Sequence, residues 1–180
     1  MARYIYVDNS NLFIEARRLA AVQAGLVGSM RQAQAVRALD NTYNLDYALL
    51  RDFLAEGHEV GRSVLFGSMA ATGTGAVWEH AEAAGWEVFS FERNFKNKEK
   101  KIDIAVVTEM ILDAFKRALR SRDQIVLVAG DSDYLPAVYR LKEEGFVVLV
   151  YFWSQAAAEL KQVATEFICM DDFLANLELR

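Results

Sequence analysis

Short apolar runs alternate with amphipathic stretches along this chain. Arg3 to Val7, Ser63 to Met69, Trp86 to Phe91, Gln124 to Ala129 and Phe146 to Trp153 are rich in β-branched and aromatic residues. Such runs predict strands, and Phe167 to Met170 predicts a short last one. Between them, Leu12, Ile14, Ala16, Leu19 and Ala20 recur at helical spacing, with Ser10 placed to cap the helix start. Leu45 to Ala55 predicts a helix stopped by Gly57, and Val77 to Ala84 one stopped by Gly85. Ile102 to Leu119 predicts a long helix with Val106, Met110, Phe115 and Leu119 facing the core and Lys116, Arg117 and Arg120 facing water. Tyr134 to Glu144, Glu159 to Ala164 and Asp171 to Leu179 complete the helices. The alanine-rich Val22–Asn44 stretch reads either as a helix pair or as an excursion from the fold.

Strands that alternate with helices predict a parallel sheet covered on both faces. The unbroken apolar runs IVLVA and FVVLVYF agree, because parallel strands are buried on both sides. The expected class is therefore a three-layer α/β sandwich over residues 1–180. Ligands of such sheets bind beyond the C-terminal strand ends, where strand order reverses.

Two acidic turns fall at such ends. Asp8 closes the first strand, and Asp131 and Asp133 follow the fourth in VAGDSDY. An order of 3-2-1-4-5 makes those strands neighbours and opens both turns into one crevice. The rival order 2-1-3-4-5 puts a strand between them. Asp103, at the start of the helix that leads into the fourth strand, can face the same edge. Carboxylates are hard ligands suited to Mg²⁺ or Mn²⁺ rather than zinc, and several crowded together need a cation to stay ionised. Each aspartate alone reads equally well as a helix N-cap. It is the loading of three junctions at one sheet edge that favours a site. Asn11, one helical step beyond Asp8, is placed to orient a carboxylate or to bind a phosphate.

Composition narrows the reading. The 180 residues are 53% hydrophobic, enough for a substantial core, and the formal net charge is −5. A protein that coats nucleic acid nonspecifically is usually basic, so any contact with RNA should be local. One cysteine, Cys169, excludes an internal disulfide framework and a cysteine zinc cluster. It sits in an apolar run and is expected to be buried and inert. No apolar run reaches the length of a membrane span, and Asp8 and Asn9 interrupt any leader-like stretch. The expected location is the cytoplasm.

VDNSNLF, KKIDIAVVTEMILDAF and IVLVAGDSDYLPAVYRLKEEGFVVLVYFW together resemble the NYN domain of LabA-like proteins, a branch of the PIN-like nucleases. The resemblance spans nearly the whole chain in order, and the combination is specific where GDSD alone is not. It implies a Rossmann-like sheet, a divalent ion (Mg²⁺ or Mn²⁺) held by acidic residues, and hydrolysis of RNA phosphodiesters. The family's acidic positions fall on Asp8, Asp103, Asp131 and Asp133, its metal ligands, and its polar position after the first strand falls on Asn11. Asn9 stands where the family often has glycine, and the 22–44 stretch is longer than the family's usual connection.

The basic stretch RNFKNKEKK, with Arg93, Lys96, Lys98, Lys100 and Lys101, precedes Asp103 and is placed to draw a phosphate backbone toward it. A solvated surface loop is the ordinary alternative. Phe95 is placed to stack on a base. The Gly73–Gly75 turn lacks the third glycine of a dinucleotide-binding loop. The expected function is a metal-dependent ribonuclease with RNA as partner, no membrane and room for a homodimer. The alternative is an RNA-binding or scaffold protein that keeps the acidic pocket without turnover. A phosphatase with two aspartates on the first strand is disfavoured, because Ser10 stands where the second would be.

Overall fold

The computed structural model describes residues 1–68, 75–91 and 98–179, with side chains throughout except at residues 98–100. Six parallel strands form one sheet: β1 (Ala2–Asp8), β2 (Glu59–Ser68), β3 (Glu87–Phe91), β4 (Gln124–Val128), β5 (Val147–Phe152) and β6 (Glu166–Cys169). Their spatial order is β3-β2-β1-β4-β5-β6. β1 therefore pairs with β2 on one side and with β4 on the other, Val7 lying beside both Leu65 and Val128. The order reverses between β1 and β4, which is the switch point of the sheet.

Alternation along β1 explains the three layers. Ile5 and Val7 point into one core with α1 (Asn9–Gln23), α3 (Tyr47–Ala55), α4 (Gly75–Ala83) and a terminal 3-10 helix (Asp171–Leu177). Tyr4 and Tyr6 point into the other with α5 (Lys98–Lys116), α6 (Leu135–Glu143) and α7 (Ala158–Val163). The 22–44 stretch contributes the end of α1 and a short helix, α2 (Met30–Val36). The segment after α2 is tied back to α1, where the Asp40 N–H bonds the Arg17 carbonyl and Arg17 Nε the Tyr43 carbonyl.

Several expectations need correction. Asp8, not Ser10, caps α1: its carboxylate accepts the Asn11 N–H, while the Ser10 hydroxyl is buried inside the helix without a partner. α5 begins four residues before Ile102 and ends at Lys116, three before Leu119. Its buried apolar positions are Ile102, Val106, Met110 and Ala114, a fourfold spacing that turns Phe115 and Leu119 outward to about half exposure (50% and 52%). Cys169 is exposed, because β6 is the edge strand and its last residue points to solvent. The last segment is helical as expected, winding as a 3-10 helix over Asp171–Leu177.

Candidate active site at the switch point

Gly130 and its neighbours set the local geometry after β4. A Cβ on Gly130 would lie 2.2 Å from the Phe152 ring, so only glycine lets the chain pass beneath β5. The Gly130 N–H donates to Asn11 Oδ1 at 3.0 Å, and its carbonyl accepts the Ala157 N–H at 2.9 Å. The bond to Gly130 fixes the amide of Asn11, leaving its NH₂ as the donor end. Asp131 then caps a single 3-10 turn, Ser132–Tyr134, by accepting the Asp133 N–H at 3.1 Å. The cap keeps both aspartates at the mouth of the crevice, where they are exposed.

That turn drives Tyr134 into the interior, where it is fully buried. Its hydroxyl lies 2.9 Å from Asp8 Oδ2 and 3.1 Å from Asp103 Oδ1, and donates toward both. One O–H thus joins the end of β1 to the second turn of α5. Asp8 splits its work, Oδ1 taking the Asn11 N–H at 3.1 Å and Oδ2 the tyrosine. The N-cap reading and the site reading of Asp8 are therefore both true, on different oxygens.

Burial pushes the Asp8 carboxyl up to about 6. The charges of Asp103 and Asp131 add to that rise, while the bonds from Asn11 and Tyr134 oppose it. The Tyr134 hydroxyl is pushed well above the ordinary phenol range by burial and by the two carboxylates, so it stays protonated.

Asp8, Asn11, Asp103, Asp131 and Asp133 line one cleft of about 340 Å³ at the C-terminal edge of the sheet. Ser10, Ile14, Glu15, Arg18 and Ile102 complete its wall. Among the described residues, no three His, Cys, Asp or Glu side chains lie close enough to hold an ion together. The lone pairs of Asp8 and Asp131 are turned to Tyr134 and to backbone N–H groups instead. The donor set is nonetheless all oxygen and rich in carboxylates, which suits a hard divalent cation and not zinc or copper. Among the described residues, Asp8, Asp131 and Asp133 have no ion-pair partner.

Of the basic stretch, Arg93 and Lys96 lie outside the described residues, as do Phe95 and Gly73. Lys98 and Lys100 fall in the first turn of α5 with undescribed side chains, and Lys101 is exposed. Tyr134, Glu15 and Arg18 carry no sequence signal of their own. Only the helical spacing from Asn11 to Glu15 and Arg18 shows that they share a face of α1.

Residues 4–171 match the NYN domain, and the chain belongs to that family, which is part of the PIN-like superfamily. Family membership brings a PIN-like nuclease fold, and such nucleases generally use divalent metals. The fold is also that of a crystal structure of a protein of unknown function from Vibrio parahaemolyticus, with a TM-score of 0.68 at 19% identity, over 99% of this chain and 96% of that one. No curated protein matches the sequence. Among the described residues, no helix is long and apolar enough to cross a membrane.

Proposed function

We propose that this protein is a metal-dependent ribonuclease whose reaction takes place in the Asp8–Asp131 cleft. The observation that carries the reading is the Tyr134 hydroxyl, which gathers carboxylates from β1 and α5 at the switch point of a NYN fold. Asp8, Asp103 and Asp131 are the proposed ligands of Mg²⁺ or Mn²⁺, with Asp133 binding directly or through water. The bound ion would supply Lewis-acid activation of water and of the phosphodiester.

The chain's own groups do the rest. Tyr134 holds Asp8 and Asp103 toward one another against their mutual repulsion. Asn11, anchored through its oxygen on Gly130, offers its NH₂ to a phosphate oxygen beside the acids. Ile14 and Ile102 give the cleft apolar walls that exclude water from one side. Arg93, Lys96, Lys98, Lys100 and Lys101 are proposed to guide the phosphate backbone toward the mouth.

Cleavage of labelled single-stranded and structured RNAs in Mg²⁺, Mn²⁺ and EDTA tests this, with Asp8→Asn as control. Metal-dependent cleavage that Asp8→Asn abolishes is expected. Equal cleavage by both proteins would assign the activity elsewhere. One observation favours a second reading, an RNA-binding protein with little turnover: the acids are held on internal donors, with no three within ligating reach among the described residues. RNA binding without cleavage in any metal would decide for it.

A further inference from the structure

Five carboxylates line the cleft, from Asp8, Glu15, Asp103, Asp131 and Asp133, and Arg18 is the single cation among the described lining residues. A polyanion approaching such a wall is repelled unless positive charge is built in or brought along. Arg18 reaches the cleft from the same face of α1 as Asn11 and Glu15, at helical steps of four and three residues.

Its setting is that of a held group, not of a solvated surface arginine. The side chain is 22% exposed, and its Nη1 pairs with Glu15 Oε1 one turn earlier. Glu15 Oε2 is held in turn by Gln155 Nε2 at 2.9 Å, from the loop after β5. Two polar atoms in this array are buried with no hydrogen-bond partner, Arg18 Nε and Gln155 Oε1. Native proteins rarely leave buried polar atoms unsatisfied, so this array is not closed on its own partners. With Nη1 on Glu15 and Nε buried, Nη2 is the edge of the guanidinium left to donate to a phosphate oxygen, and its charge is permanent.

Glu15 explains why this cation does not collapse onto the aspartates. An untethered arginine in this cleft would be drawn to Asp131 or Asp133 and occupy the place of a metal ion. Fixed between Gln155 and Arg18, Glu15 keeps the guanidinium on the α1 wall.

We propose that Arg18 is a phosphate-binding residue, taking a phosphodiester of single-stranded RNA on the α1 side of the aspartates, with Glu15 holding its guanidinium. The inference rests on the nuclease reading of the cleft and names the group that receives its substrate.

The test measures binding of a fluorescein-labelled oligouridylate by anisotropy across a salt series, in an Asp8→Asn background so that the RNA is not consumed. Arg18→Met keeps the aliphatic stem. It should weaken binding roughly tenfold or more, the effect of losing a hydrogen bond to a charged group. It should also flatten the log–log salt dependence by roughly 0.7, one phosphate contact on a single strand. Arg18→Lys should restore the slope and only part of the affinity, and Glu15→Gln should leave the slope unchanged. With Asp8 intact, Arg18→Met should raise KM more than it lowers kcat.

If Arg18→Met and Glu15→Gln lose the same melting temperature while RNA affinity and slope stay at the parent's values, Arg18 is a structural partner of Glu15 and the inference is overturned alone. If the parent binds no RNA at all, the nuclease reading falls and this inference falls with it.

Discussion

The chain builds two acidic clusters around α5, and they are finished differently. Near the start of β2, Arg62 is 8% exposed and bonds Glu87, Glu109 and Asp113, each at 2.7 Å. The Tyr6 hydroxyl donates to Asp113 at 2.7 Å, as Tyr134 does to Asp103 at 3.1 Å. Ten residues earlier on the same helix, a buried tyrosine and an aspartate are repeated, but there the neighbouring Asp8, Asp131 and Asp133 have no ion-pair partner among the described residues. Bonds to Glu87 and the other acids raise Arg62 above its ordinary value, so its charge is permanent. A carboxylate cluster supplied with its own cation is complete as structure. Asp8, Asp131 and Asp133, without such a cation among the described residues, have stability to gain from an ion or a ligand.

The largest effect expected from breaking this contrast is on cleavage. Asp8→Asn and Asp131→Asn should each lower single-turnover cleavage by at least about 10²–10³-fold, the range for removing one charge-stabilising group. RNA affinity should stay within a few-fold. Cleavage that survives both changes would remove the cleft from the reaction.

Next comes the stability of the finished cluster. Arg62→Met should cost about 1.5–3 kcal/mol in urea denaturation, because buried Asp113 loses one of its two cations and keeps only Arg117. A loss confined to a few tenths would mean that the two clusters do not differ in kind.

The unfinished cluster should respond with the opposite sign. The Asp8 carboxyl is pushed up to about 6 in the folded protein, against 3.8 for an aspartate side chain free in water. The folded state therefore holds a proton that the unfolded chain has released between those values. Stability from neutral Asp8 is full below about pH 4 and is lost as pH rises through about 6. Asp8→Asn keeps a good N-cap and removes the buried charge. At pH 7.5 without metal it should raise stability by on the order of 2–3 kcal/mol, a gain that vanishes near pH 4. A pH-independent difference between the two proteins would contradict this.

Tyr134→Phe deletes only the hydroxyl. It should weaken Mn²⁺ binding by roughly tenfold in calorimetry, the scale for losing a group that orients a ligand. RNA affinity in EDTA should not move. The smallest effect is at Lys101, which is exposed. Lys101→Ala should flatten the salt slope of RNA binding by roughly 0.7 if it meets one phosphate, with no change in melting temperature.

The features legible in the sequence are the local ones. The strands are legible because burial on both faces demands continuous apolar runs. Asp8 stands out because it follows such a run directly, and Asp131 and Asp133 because they lie in the turn that follows one. Strand order 3-2-1-4-5 places them together, and β6 extends it by one edge strand. Expectation fails where hydrophobicity and burial part company: Phe115 and Leu119 are apolar yet exposed, and Cys169 lies on an edge. Ser10 misleads because a serine after a strand is as good a cap by type as the aspartate two residues before it. Tyr134, Glu15, Arg18 and Gln155 are illegible for a different reason. Their contacts join residues as far apart as 126 and 140 positions, and nothing in either segment marks its partner.

The pairing of β1 with β4 also governs when the protein becomes competent. Arg3 and Gln124 bond across 121 positions of sequence, and this seam brings the Asp8 end to the Tyr134 end. Pairings between distant segments close late, because loop entropy is spent before contact energy returns. During synthesis Asp8 emerges long before Tyr134, so a growing chain carries one acid of the cleft without the hydroxyl that fixes it. The cleft is assembled only when the central seam zips, making the arrival of β4 a timer for whatever chemistry the cleft performs.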